Sequence, residues 1–131
     1  MNFAKEMLDA QKGLQKFGYE AFVPPDTHDC VENPNLNTDE DHCDNIDIMR
    51  SCMKIQEKCD ALLVLNYLKH NIEGYLGVHT LMELGLAYYL KQRIFLLYPV
   101  LPKDQVRSTM EVMHMKPTIL KGDIENIKQY L

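Results

Sequence analysis

Two apolar runs, Ala61-Leu62-Leu63-Val64-Leu65 and Ile94-Phe95-Leu96-Leu97, constrain this chain more than any other feature. A strand wetted on one side alternates apolar and polar residues. A run without alternation belongs to a strand covered on both faces, as in parallel sheets. Between the runs lie a glycine-bearing loop, Gly74-Tyr75-Leu76-Gly77, and an apolar stretch over residues 79–90 that is long enough for a helix. Strand, helix and strand in succession form the unit from which parallel sheets are built. The reading predicts strands over 60–66 and 93–98.

The flanks extend the pattern. Phe3, Met7, Ala10, Leu14 and Phe17 recur at steps of four and three, one helix face, with Gly18 placed to end it. Residues 20–23 read as a short strand stopped by Pro24-Pro25. Ile48, Cys52, Ile55 and Cys59 mark a helix over 44–58. Residues 101–116 read as loop and broken helix, 118–120 as a last strand and 123–131 as a closing helix begun at Gly122-Asp123. The expected architecture is a single α/β domain over 1–131, a Rossmann-like parallel sheet with helices on both faces. Strands 20–23 and 60–66 should share that sheet, with 93–98 beside the latter. Such folds usually open with a central strand, whereas this chain opens with a helix. The missing opening strand should leave apolar surface that favours a homo-oligomer.

Charge is placed unevenly. Residues 24–47 hold eight of the 19 acids and no Lys or Arg, while the rest carries 14 basic and 11 acidic residues. A net charge of -5 argues against a nucleic-acid polymer as partner. No apolar run reaches membrane-span length, and no long apolar leader stands at the N-terminus, so neither membrane nor export is expected. The four cysteines form no CxxC pair and read as reduced thiols of a cytoplasmic protein. His28, Cys30, His42 and Cys43 match no zinc-ligand spacing, so neither metal nor cofactor is expected. The acidic stretch, poor in apolar residues, should be a mobile loop.

One acid stands apart. Between Gly77 and Leu90 the only charged residue is Glu83, among Leu81, Met82, Leu84, Leu86 and Ala87. An acid in such company is paired, caps something or reacts. Two readings compete. A carboxylate near a helix start, stripped of water, can capture an electron-poor carbon. Equally, Thr80-x-x-Glu83 has the form of a capping box, with Glu83 bonding back to the Thr80 amide.

The strings Cys59-Asp60-Ala61-Leu62-Leu63-Val64-Leu65-Asn66, Gly74-Tyr75-Leu76-Gly77, Thr80-Leu81-Met82-Glu83-Leu84-Gly85-Leu86-Ala87 and the strand ending Tyr98-Pro99 resemble the nucleoside 2-deoxyribosyltransferase-like family. The ends Met1-Asn2-Phe3-Ala4-Lys5-Glu6-Met7 and Lys116-Pro117-Thr118-Ile119-Leu120-Lys121-Gly122-Asp123 extend the resemblance over nearly the whole chain. It implies a Rossmann-like fold, oligomeric assembly and cleavage of the N-glycosidic bond of a deoxynucleoside or its monophosphate. A glutamate attacks C1′, and a second base or water resolves the intermediate. By match to the motif, Glu83 is that nucleophile. The chain departs from the family in lacking the first strand with its small-residue loop, and in carrying Gly77-Val78-His79 where characterised members have an acid.

Position at the carboxyl ends of the strands adds candidates for substrate contact. Asn66 and Tyr75 are placed to hydrogen-bond or stack on a base. Gly74 and Gly77 either let backbone approach a ligand or merely turn the chain. His79 is an acid–base candidate or an incidental residue at the helix start. The non-catalytic alternative is a nucleotide-binding or interaction module on the same scaffold.

Overall fold

The computed structural model describes residues 3–102 and 106–131. The motif residues Met1 and Asn2, and Lys103, Asp104 and Gln105 within the expected 101–116 loop, lie outside that description. The chain divides into two compact units, Met1–Lys58 and Cys59–Leu131.

The second unit holds a three-stranded parallel sheet in the order β1 (Ala61–Val64), β2 (Arg93–Leu96), β3 (Thr118–Ile119). Helix α5 (Val78–Tyr89) connects β1 to β2 and α6 (Thr109–His114) connects β2 to β3. The register sets Leu62 against Ile94, and Val64 against Leu96. These residues share one face and form the core with Leu84 and Ala87 of α5 and Val112 of α6. On the opposite face the buried Phe95 meets the Tyr130 ring, 6.0 Å between centroids, just after a closing 3₁₀ helix (Ile124–Gln129). The fold class is therefore mixed α/β with a parallel sheet, as the uninterrupted apolar runs required.

The first unit is helical: α1 (Ala4–Lys16), α2 (Thr27–Glu32), a 3₁₀ turn (Leu36–Thr38), α3 (Glu40–Ile46) and α4 (Ile48–Gln56). Three expectations are corrected here. Residues 20–23 form no strand: Gln11 Nε2 of α1 donates to Ala21 O at 2.9 Å, so a side chain takes a carbonyl that a ladder would have used. The acidic stretch is not a structureless loop but contains α2 and α3. The helix expected over 44–58 is broken at Asp47, whose φ of 43° is left-handed. That residue closes α3 and starts α4, its carboxylate accepting from the Arg50 N–H at 3.4 Å.

Candidate functional site

The carboxyl ends of β1 and β2 are stitched together by one side chain. Asn66, two residues past β1 and 1% exposed, donates from Nδ2 to Tyr98 O at 2.7 Å. It accepts the Tyr98 N–H on Oδ1 at 2.8 Å. Both ends of the amide are thus directed to the main chain that leaves β2. Gly74 is buried behind it, with φ at +65°; a Cβ there would lie 2.1 Å from Pro99 O and 3.3 Å from Asn66 Nδ2. Only glycine fits, and the reason is packing against the 98–99 backbone rather than an open approach for a ligand.

Leu68 to Tyr75 surrounds a two-residue turn. His70 and Asn71 both have positive φ, 53° and 58°, and Lys69 and Ile72 exchange backbone hydrogen bonds at 3.2 and 2.9 Å. Asparagine is among the residues that accept this geometry most readily. The turn sets the His70 ring edge-on to Tyr75, 5.3 Å between centroids, and Lys69 Nζ 5.6 Å from the centre of the same ring. Tyr67 and Tyr98 make a second aromatic pair, 6.0 Å apart. Tyr75 therefore keeps a half-buried ring beside a cation and an imidazole at the edge where ligands bind in parallel sheets. Lys69 and His70 escaped the sequence reading, although Asn71 in a polar stretch was a usable turn signal.

Helix α5 starts where Gly77, extended at φ -71° and ψ 164°, acts as N-cap without a side-chain cap bond. A Cβ on Gly77 would meet only Tyr75 Cε1, at 3.8 Å, so neither space nor backbone demands glycine. Because the helix begins at Val78, Thr80 is its third residue and Glu83 its sixth. The capping-box reading is thereby removed: Glu83 lies in the second turn, beyond the free N–H groups. The same placement puts Glu83 out of reach of the helix-start N–H groups that would favour its ionised form. Glu83 is half-buried, and burial pushes its carboxyl above the ordinary 4.5; His79, one turn earlier and exposed, opposes that rise with its charge. A desolvated carboxyl of this kind is poised for proton transfer or, once ionised, for attack on an electron-poor carbon.

The structure thus groups Asn66 with Gly74, Tyr75 with Lys69 and His70, and Glu83 with His79. The first group serves the chain itself; of the last pair, His79 is exposed and Glu83 half-buried. Among the described residues, no three His, Cys, Asp or Glu side chains converge in a way that would hold a metal. Of the four residues weighed for one, Cys30 and His42 both turn to Asp26, Cys43 Sγ donates to Leu36 O at 3.7 Å, and His28 is exposed. No helix among the described residues is long and apolar enough to cross a membrane. Compared with protein-family models, curated proteins and solved structures, the chain matches none.

Proposed function

We propose that this chain binds a nucleoside or nucleotide at the carboxyl edge of its sheet and breaks the N-glycosidic bond, by hydrolysis or deoxyribosyl transfer, in the cytoplasm. The supporting observation is the position of Glu83: a half-buried acid on the helix that follows β1, desolvated and outside any capping box. The resemblance of Gly77 to Ala87 to the deoxyribosyltransferase-like pattern supplies the reaction class.

In this reading a Glu83 oxygen bonds to C1′ as the C1′–N bond breaks, and the bonding pair leaves on the base nitrogen. The base takes a proton, for which His79 is the nearest candidate on the same helix. Water or a second base then attacks C1′, releases the Glu83 carboxylate and loses its proton. Tyr75 offers a stacking face for the base. Attack requires the ionised acid, so the rate climbs with pH as Glu83 deprotonates.

The test is incubation with a panel of deoxynucleosides and deoxynucleotides, with free base followed by chromatography. Release by the wild type and its loss by several orders of magnitude in Glu83→Gln supports the assignment. A fully active Glu83→Gln ends it. One observation favours the second reading, a non-catalytic nucleotide-binding module: the Tyr75 ring beside Lys69 and His70 is a stacking surface that needs no reaction at Glu83. Saturable nucleotide binding without cleavage by the wild type selects that reading.

A further inference from the structure

A helix that packs on a sheet is expected to be apolar inward and polar outward. Helix α5 is apolar on both sides. Leu84 and Ala87 enter the core, while Val78, Met82 and Tyr89 lie along the opposite side, 72%, 47% and 81% exposed. Helix α6 and its C-cap turn Met110, Glu111, His114 and Met115 to one side, at the steps of three and four that share a helix face. With Tyr88 of α5 these residues line a depression of about 360 Å³. Tyr88 is 53% exposed and Met110 62%, whereas Met115 packs against the core. The proposed chemistry uses none of them.

We infer that this depression receives an arginine side chain from a different, partner protein, whose apolar residues lie along the α5 stripe. The charge of the lining selects a cation. Glu111 is its one acid, no Lys or Arg is among the five residues, and among the described residues no ion pair holds the Glu111 carboxylate. An anion would meet only that carboxylate and apolar groups. The shape of the lining then selects a planar cation. A guanidinium stacks on the Tyr88 ring and meets the carboxylate with two parallel N–H donors, while the polarisable thioethers of Met110 and Met115 pack on its stem. A lysine ammonium is a compact, strongly hydrated charge and gains less from a ring and two thioethers.

The stripe decides for a protein over a small molecule. Tyr88 and Tyr89 are consecutive, so the depression opens beside exposed apolar surface of the kind that marks protein contacts, and arginine is among the residues on which such contacts concentrate their energy. A lipid surface fits less well, since helices that lie on membranes carry Lys or Arg along their polar face and Val78–Tyr89 contains neither. A second copy of this chain is poorly equipped to supply the cation. Of its arginines, Arg50 pairs with Asp47, Arg93 donates to Tyr130 O, and Arg107 stands at the entry to α6 itself.

The test titrates the full chain with a helical peptide bearing leucines at i, i+3 and i+4 and one arginine at i+7, with the methionine methyl groups followed by NMR. Saturable shifts at the Met110 and Met115 methyls are expected. Binding should weaken by about tenfold or more when citrulline, the neutral isostere, replaces the arginine, and by as much in Glu111→Gln. Glu111 is exposed, so Glu111→Gln should keep the wild-type melting midpoint, which verifies its fold. Met82→Ser should weaken the peptide and leave the feebler binding of N-acetylarginine amide unchanged. The absence of saturable shifts up to millimolar peptide overturns the inference, as does a citrulline or lysine peptide that binds as tightly. So does a Glu111→Gln protein with undiminished affinity. N-acetylarginine amide binding as tightly as the peptide would give the site to a small guanidinium ligand instead. Self-association of the wild type lost on Met110→Glu would give it to a second copy, and pelleting with anionic phospholipid vesicles lost on Tyr89→Lys would give it to lipid; each of these outcomes overturns the inference.

Discussion

Each unit buries a polar side chain almost completely, and the two do so on different terms. In the sheet unit, Asn66 is neutral and both ends of its amide are hydrogen-bonded to Tyr98. In the helical unit, Asp26 is 3% exposed and serves as N-cap of α2, yet its carboxylate does not cap. It turns inward, where Oδ2 accepts from His42 Nε2 at 3.3 Å and from Cys30 Sγ at 3.7 Å, while Oδ1 has no partner. The neighbouring Cys30 thiol is pushed up by burial and by that carboxylate. A satisfied neutral group locks its surroundings, whereas a half-satisfied charge holds two helices together at a desolvation cost. The first unit is thus pinned by a costly contact and the second by a favourable one.

Four substitutions probe this contrast. Gly74→Ala should be the most damaging, since the new methyl strikes the Pro99 carbonyl and the backbone is left-handed; a loss of at least ~3 kcal/mol in urea melts is expected. Asn66→Ala leaves the Tyr98 N–H and C=O without their partner and should cost about 3 kcal/mol in the same assay. Asp26→Asn removes the buried charge yet keeps an acceptor for His42, so its effect should stay within about 1 kcal/mol. If it costs as much as Asn66→Ala, the contrast between the units is lost.

Glu83→Gln gives a smaller, pH-dependent effect. With its folded value raised, Glu83 is protonated in both states well below 4.5 and costs nothing there. As pH rises past 4.5 the unfolded chain ionises first, so stability falls until the folded group has ionised as well. The Gln variant should therefore match the wild type in acid and be more stable at neutral pH. Thermal melts across pH 3.5 to 8 in ~0.5-unit steps check the sign.

The sheet was legible because its strands are written locally. Uninterrupted apolar runs specify burial on both faces, and the first run ends where Asn66 turns back to Tyr98. Residues 20–23 were not, since a run of three apolar residues after Glu20 suits an extended segment as well as a strand. Helices α2 and α3 are only six and seven residues long and meet at the Asp26–His42 contact, which no local pattern reveals. One signal was present in the acidic stretch: Asp39 caps the His42 N–H at 3.1 Å, with Glu40 and Asp41 in the first turn. In the candidate site, Glu83 stood out as the one charge in an apolar stretch. The expected helix began one residue late, while the capping box would have needed Thr80 as N-cap and a start at Leu81, three residues beyond the observed Val78.

Asp47 belongs to two helices at once, and their fates follow from it. Its left-handed backbone ends α3, and its carboxylate supplies the first acceptor for α4. Unravelling at the end of one helix therefore removes the start of the next, and amide protons on both sides should exchange as one cooperative block. Asp47→Gly would set two small effects against each other, an eased backbone and a lost cap. The melting midpoint could then stay almost unchanged while the block divides in two, a change in how the unit opens rather than in how stable it is.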